Sequence, residues 1–144
     1  MIEQVQSFYD DVYQQLKQYL KTNSIYKPEV LKDSPEEKIF PLVIIKLLPY
    51  TDEYTTLKYT DIRYEYGFEI NVCAMQQGTT ARQSITNEIS NHVEVFFKTV
   101  YRMNVKVSKN VPNEDTSVAR DVVQATCILD TKYKDKLVIY PSKR

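Results

Sequence analysis

The segment from Ile62 to Ala74 alternates apolar and more polar residues without a break. Its apolar positions are Ile62, Tyr64, Tyr66, Phe68, Ile70, Val72 and Ala74, and its more polar positions are Arg63, Glu65, Gly67, Glu69, Asn71 and Cys73. Because successive side chains of a strand point to opposite faces, this pattern predicts one long strand with an apolar face and a wetter face. The apolar face requires a covering element.

Two segments carry apolar residues at steps of three and four, the spacing of an amphipathic helix. The first extends from Ile2 to Leu20, and the second extends from Thr79 to Met103 with Thr79 or Thr80 as its N-cap. The apolar stripes are Ile2, Val5, Tyr9, Val12, Leu16 and Tyr19, and then Ile85, Ile89, Val93, Phe96, Phe97 and Val100. We expect both stripes to pack against the sheet.

Four further segments have strand character. They are the branched apolar run Phe40 to Leu48, the alternating segment Met103 to Ser108, the segment Val118 to Asp130, and Lys136 to Tyr140. In the third of these, the inner face is predicted to carry Val123, Ala125, Cys127 and Leu129. The element order predicts a single α+β domain over residues 1–144, with two main helices on one face of a mostly antiparallel sheet.

Three connecting segments have loop composition. Lys21 to Lys38 contains Asn, Ser, Asp and Pro with scattered apolar residues, and Lys109 to Thr116 contains a similar set. Residues 49–61 form the long connection between the first two predicted strands, and we interpret them as a projecting loop or an extended, flexible hairpin.

The charge balance argues against several partner classes. Lysine plus arginine and aspartate plus glutamate number 19 each, so the chain has no strong field to attract nucleic acid or an anionic membrane. No run of about 18 apolar residues and no basic leader are present, so we expect no membrane association and synthesis and use in a cytoplasm or in a particle assembled there.

The residues that usually carry catalysis are scarce. His92 is the one histidine, Cys73 and Cys127 are the two cysteines, and Gly67 and Gly78 are the two glycines. So few of these residues argue against a Ser/His/Asp catalytic set, a structural zinc site and a glycine-rich phosphate-binding loop. We therefore predict a protein that is not an enzyme and holds no cofactor or metal.

One acidic pair keeps an enzymatic alternative open. Glu65 and Glu69 fall on the wetter face of the long strand, with Arg63 on the same face. Such a pair could bind a divalent metal or act as acid and base, although solvated strand faces often look like this.

At this point the chain resembles the tail terminator, or tail-to-head joining, proteins of long-tailed bacteriophages, a family of minor capsid-type proteins. After an N-terminal helix, the resemblance is carried by FPLVIIK (Phe40 to Lys46), IRYEYGFEINVCAMQQG (Ile62 to Gly78), VEVFFKTVYRMNV (Val93 to Val105), VPNEDTSVAR (Val111 to Arg120) and KLVIYP (Lys136 to Pro141). These segments cover most of the chain in the expected order.

The resemblance implies a structural role. Members of the family form a ring of six subunits that caps the tail tube, ends its polymerisation and joins the tail to the head connector. The implied partners are other copies of the chain, the tail tube protein and a head-completion or connector protein, and the genomic DNA passes through the lumen without specific binding. The implied location is the tail-head interface of the virion, and the host cytoplasm during assembly.

The family has no catalytic residues to transfer, so the candidate site is an interface. We expect residues 49–61 and 111–117 to contact neighbouring subunits, the tube or the connector, because long loops with amphipathic tyrosines suit heterologous contacts. The candidate interface residues are Tyr50, Asp52, Glu53, Tyr54, Tyr59, Asn113, Asp115 and Arg120. Another head-tail connector, a neck completion protein or a tail-assembly factor remains as an alternative, with the Glu65 and Glu69 enzyme as a more remote one.

Overall fold

The computed structural model of the chain describes residues 2–32, 39–48, 51–54, 62–133 and 136–141. This part of the chain contains two helices and seven strands. In chain order they are α1 (Ile2–Asn23), β1 (Glu29–Lys32), β2 (Leu42–Leu47), β3 (Thr51–Tyr54), β4 (Ile62–Ala74), α2 (Arg82–Val100), β5 (Asn104–Ser108), β6 (Ala119–Tyr133) and β7 (Lys136–Pro141). The predicted α+β class is confirmed.

The seven strands form one sheet around the long strands β4 and β6. These two strands pair antiparallel along their length, from Arg63 opposite Asp130 to Ala74 opposite Ala119. The main strand order is β1-β2-β4-β6-β5, with β3 also paired to β4 and β7 also paired to β6. Among the described strands only the β1–β2 pair is parallel, so the sheet is mostly antiparallel, as predicted.

Each long strand serves two sections of the sheet. The C-terminal half of β4 pairs with β2, and its first four residues pair with β3. The N-terminal part of β6 pairs with β5, and the rest pairs with β7. The sheet therefore consists of a wide section containing β1, β2, β4, β6 and β5, and a narrower section formed by β3, β4, β6 and β7.

Both helices pack on one face of the wide section. The predicted apolar face of β4 lies in this core, since Tyr66, Phe68, Ile70, Val72 and Ala74 are buried completely. Other core residues come from both helices and from β6, namely Phe8, Tyr9, Val12, Leu16, Leu20, Ile85, Ile89, Val93, Phe96, Phe97, Val123, Ala125 and Cys127. The predicted packing of the helix stripes against the sheet is confirmed for Tyr9, Val12, Leu16, Ile85, Ile89, Val93, Phe96 and Phe97. The side chains of Ile2, Val5, Ile62, Tyr64 and Leu129 lie outside the described residues.

Helix α1 is oriented on the sheet by tyrosine side chains. The hydroxyl of Tyr9 donates a 2.9 Å hydrogen bond to the carbonyl oxygen of Ile45, and that of Tyr13 donates a 3.2 Å bond to the carbonyl of Val30. The ammonium of Lys32 lies over both tyrosine rings and forms an ion pair with Asp10. The hydrogen bonds fix the helix to β1 and β2 while the apolar faces of the rings contribute to packing.

Several sequence predictions were wrong in detail. The loop predicted for Lys21–Lys38 is wrong over its described part, which holds the end of α1 and the strand β1. The four residues of β1 are too few to show a clear period. The predicted N-cap at Thr79 or Thr80 is wrong, because the N-cap of α2 is Ala81, which has no side-chain group to cap the helix, and the backbone of Thr80 pairs with that of Gln77 in a tight turn. At the other end of α2, Val100 is 50% exposed although the stripe predicted it to be buried.

The predicted connection between β2 and β4 is only partly described. Residues 51–54 form β3, which pairs antiparallel with the first four residues of β4. Residues 49, 50 and 55–61 lie outside the described part of the chain.

Candidate functional site

The face of the sheet opposite the helices carries a small apolar cluster of its own. Leu42, Cys73 and Val118 are buried there, and Leu31, Phe40 and Ile44 pack against them at half-buried positions. No helix of the described chain contributes to this cluster. We refer to this side of the sheet as the open face.

A groove of about 220 Å³ lies on the open face between β2, β4 and the loop that precedes β6. Its apolar lining consists of Phe40, Leu42, Ile44, Cys73 and Val118. Its polar lining consists of Lys46, Asn71, Asn113, Asp115 and Arg120. We name it the Arg120 groove.

Strand register brings the polar groups of the groove together. Arg120 pairs with Cys73 across the β4–β6 ladder. Asn71 comes two residues before Cys73 in β4 and therefore lies on the same face of the sheet. Nη1 of Arg120 donates a 3.3 Å hydrogen bond to Oδ1 of Asn71, and Nη2 donates a 3.1 Å bond to the carbonyl oxygen of Pro112. The guanidinium therefore connects the sheet to the loop.

One part of the Arg120 side chain remains without a hydrogen-bond acceptor. Its Nε atom is buried and bonds to none of the described residues. Among these residues the guanidinium also forms no ion pair, since the ion pairs found there involve other cations. A guanidinium carries five N–H donors, so Nη1 and Nη2 each have one N–H beyond the bonds to Asn71 and Pro112, and such hydrogens are good donors to a carboxylate.

The loop that borders the groove is held by local backbone and side-chain bonds. The amide of Val111 donates to the carbonyl of Arg120 at 2.7 Å, and the amide of Val118 donates to the carbonyl of Asp115 at 3.2 Å. Oδ1 of Asp115 accepts hydrogen bonds from the amide and the hydroxyl of Ser117. These bonds form an Asx-type turn and fix the shape of the groove wall.

A buried carboxylate on the other side of β6 supports the base of the same loop. Asp121 is fully buried and accepts hydrogen bonds from Oγ of Ser90 at 2.9 Å and from Nε2 of Gln83 at 3.2 Å. It also accepts a 2.9 Å bond from the amide of Asn110, whose φ is 53°. The buried carboxyl group thus has three hydrogen-bond donors, which is the usual condition for a polar group inside a protein.

The structure brings together three of the predicted interface residues. Asn113, Asp115 and Arg120 all line the Arg120 groove. The backbones of Asp52, Glu53 and Tyr54 belong to β3, where they pair with Tyr64, Arg63 and Ile62, and the structure does not describe their side chains. Tyr50 and Tyr59 lie outside the described residues.

Sequence reasoning missed the sheet half of the groove. Lys46, Asn71 and Phe40 were not predicted as interface residues, although they line it together with Arg120. The alternation in β4 already placed Asn71 and Cys73 on one face. What the sequence could not supply was the β4–β6 register, which places Arg120 opposite Cys73.

The acidic pair considered for metal binding is described only in part. Glu69 is half-buried, and its Oε2 accepts a 3.4 Å hydrogen bond from Asn71, whereas the side chain of Glu65 lies outside the described residues. Within the described residues, no group of three or more His, Cys, Asp or Glu side chains is placed to hold a metal ion.

The remaining candidate residues have structural surroundings. Cys73 and Cys127 are buried and belong to no disulfide, and burial raises the pKa of the Cys127 thiol to about 12. His92 lies at a half-buried position on α2, with Nε2 at 2.9 Å from Oε1 of Glu88. Glu88 also accepts bonds from the hydroxyl of Ser24 and the amide of Ile25, so this cluster joins the end of α1 to α2.

Neither α1 nor α2 is both long and apolar enough to cross a membrane, and these are the helices of the described residues. No protein-family model matches the chain, and no curated protein matches it significantly.

Proposed function

We propose that this chain is a tail terminator of a long-tailed bacteriophage, a structural virion protein. In this role, copies of the chain form a ring of six on the end of the tail tube, stop its polymerisation and provide the surface that joins the tail to the head connector. Its contacts are with other copies, with the tail tube protein and with a head-completion protein.

The observation that carries the proposal is the Arg120 groove on the open face. It gathers Asn113, Asp115 and Arg120 from the segment VPNEDTSVAR, one of the segments that resemble the terminator family. The groove combines an apolar floor with charged groups at its border, as protein interfaces do. The equal numbers of acidic and basic residues are also compatible with a ring through which DNA passes without being held.

A second observation supports assembly rather than a free-standing role. Both helices cover one face of the sheet, whereas the apolar cluster of Leu42, Cys73 and Val118 on the open face is covered by no described helix. A sheet face that carries no described helix is suited to packing against a neighbouring subunit.

The proposal is tested by interrupting the coding sequence early in the native phage and examining the products by negative-stain electron microscopy. A tail tube without its terminator continues to polymerise, so we expect overlong tails together with DNA-filled heads that lack tails. Supplying the intact chain from a plasmid should restore tails of normal length. Normal tails joined to heads in the interrupted phage would contradict the proposal.

The same images separate the terminator from another connector or neck protein. Loss of a neck protein leaves tail length controlled elsewhere, so tails of normal length that remain unjoined to heads would reject the terminator role and favour the connector role.

A further inference from the structure

We propose that the Arg120 groove binds a segment of a partner protein in which an aspartate or glutamate side chain lies beside an apolar one. The carboxylate contacts the terminal nitrogens Nη1 and Nη2 of Arg120, and the apolar side chain packs on Leu42 and Ile44. This inference rests on the proposed function, because it states the chemistry of the virion protein that the terminator meets at this groove.

The first argument is the charge of Arg120. Its guanidinium donates to Oδ1 of Asn71 and to the carbonyl oxygen of Pro112, and both of these acceptors are neutral. No carboxylate of the described residues forms an ion pair with it. Nη1 and Nη2 each retain one further N–H, whereas Nε is buried and takes no part in the proposed contact. A half-buried cation without a counter-ion is stabilised by a carboxylate from outside.

The second argument is the arrangement of the other charges around the groove. Lys46 and Arg120 line it, and Asp115 is the acid that lines it. Oδ1 of Asp115 accepts two hydrogen bonds within its own turn. Glu69 lies opposite Lys46 in the β2–β4 ladder, but the two form no ion pair. The lining thus has two cations and one acid, and it favours an incoming carboxylate over an incoming cation.

The third argument is the size and the apolar lining of the groove. Sites for small molecules usually measure about 300–1,000 Å³. The Arg120 groove measures about 220 Å³, which is enough for one or two protein side chains. Phe40 and Ile44 are half-buried in its lining, and Leu42 is buried. An arginine beside apolar residues is typical of the centre of a protein interface, so the groove suits a protein segment better than a free substrate.

The fourth argument is that the groove has its shape before a partner binds. The carbonyl of Arg120 accepts a 2.7 Å hydrogen bond from the amide of Val111, which ties the loop to β6. Asn71, which holds the guanidinium, is itself buried. Asp121, the next residue of β6, is bonded to Ser90 on α2. A site fixed in this way loses little conformational entropy on binding.

The experiment is a titration of the full, isotope-labelled chain followed by two-dimensional NMR. The probes are the capped peptide acetyl-GLELG-amide and its counterpart acetyl-GLQLG-amide, which has glutamine in place of glutamate. We expect the acidic peptide to move the amide signals of Asn71, Cys73 and Arg120, and to leave those of Leu16 and Val93 in the helix layer unchanged. The glutamine peptide should bind roughly ten-fold more weakly, because it keeps the apolar contacts and lacks the charge.

Arg120→Gln tests whether this difference in affinity arises at Arg120. We expect the two peptides to bind the variant equally, because the partner of the carboxylate has been removed. Arg102→Gln removes an exposed arginine that follows α2, and this control should keep the full difference. The NMR spectrum also shows whether each variant is folded. If Arg120→Gln fails to fold, Arg120→Lys replaces it and should reduce the difference, because lysine keeps the charge but lacks the planar fork.

Equal affinity of the two peptides for the unaltered chain would overturn the proposal, as would binding that moves only signals of the helix layer or no binding at all. Groove signals that move with chain concentration in the absence of peptide would show that a second copy occupies the groove, and they would also overturn it. The terminator role is judged separately, by tail length in the interrupted phage, so either conclusion can fail while the other stands.

Discussion

Oγ of Ser90 on α2 donates a 2.9 Å hydrogen bond to Oδ2 of Asp121, a fully buried carboxylate on β6. The other carboxylate oxygen accepts bonds from Gln83 and from the amide of Asn110. Asp121 directly follows Arg120 in β6, so their side chains point to opposite faces of the sheet. Asp121 faces the helices, and Arg120 faces the groove. The helix layer and the groove wall are therefore joined through a single strand.

Removing the Asp121 carboxylate should destabilise the fold. Asp121→Ala removes the acceptor of three hydrogen bonds, from the buried hydroxyl of Ser90, the half-buried amide of Gln83 and the backbone amide of Asn110, and we expect it to lower the free energy of unfolding by roughly 2–4 kcal/mol. Ser90→Ala removes one of these bonds and should cost about 1–2 kcal/mol. Urea denaturation measures both, and Glu114→Ala, an exposed acid in the neighbouring loop, should change stability by less than about 0.5 kcal/mol. Equal stability of Asp121→Ala and Glu114→Ala would refute this role.

Phe68 is the centre of the aromatic core between the sheet and the helices. Its ring centroid lies 5.7 Å from that of Phe8 and 6.0 Å from that of Phe97, and the residue is fully buried. Phe68→Ala should cost roughly 3–5 kcal/mol because a cavity is added to the lost transfer energy. Val95→Ala, at a position 46% exposed on α2, is the control. Thermal unfolding that left the Phe68 variant unchanged would show that the ring is not needed to fold the single chain.

Tyr101 should make stability fall at alkaline pH. Its hydroxyl donates a 2.9 Å bond to Asp11, and burial, followed by that bond and the charge of Asp11, raises the pKa of the phenol above its ordinary value of 10.0. A raised pKa in the fold gives stability that is complete below the unfolded pKa and is lost as pH rises through the folded pKa. We therefore expect unfolding free energy to fall above pH 10.0, where the unfolded phenol ionises first.

Tyr101→Phe tests this expectation because it removes the ionising group and keeps the ring. Its loss of stability between about pH 8 and about pH 11 should be smaller than that of the unaltered chain. Urea denaturation at both pH values gives the comparison, and Tyr19→Phe, whose ring also packs on Phe96, is the control. Identical alkaline losses in the Tyr101→Phe chain and the unaltered chain would contradict the assignment.

Cys127 should resist thiol reagents in the folded chain. The side chain is fully buried, and burial raises its pKa to about 12 from an ordinary value of 9.0, so little thiolate forms near neutral pH. In a Cys73→Ser background, we expect modification by an aromatic disulfide to occur only as fast as the chain unfolds. The same chain in denaturant should react at once, and rapid reaction without denaturant would place the thiol at the surface.

Periodicity predicted the layers of this fold because the helices and long strands bury continuous faces. The alternation in Ile62–Ala74 and the stripe from Ile85 to Phe97 both correspond to buried residues in the core. Short elements were less predictable. Strand β1 has only four residues, and its position is set by parallel pairing with β2. This pairing joins two separate segments, so no pattern within β1 itself predicts it.

The residues that the loop contributes to the groove could be predicted from the sequence, whereas the residues that the sheet contributes could not. Turn residues marked the segment that holds Asn113 and Asp115, and the arginine that follows it was part of the resemblance. The contribution of Lys46 and Asn71 depends on two strand registers, β2 with β4 and β4 with β6. A register follows from the complete pattern of buried faces across the sheet, so it could not be read from any one segment.

The location of the chain in the particle tests most directly the proposal that it ends the phage tail. The measurement is negative-stain electron microscopy of native particles that carry a gold label on a tag at Arg144. We predict gold at one end of free tails and at the head-to-tail junction of complete particles. Gold along the sides of the tube, at the distal tip, or on no particle would contradict the account.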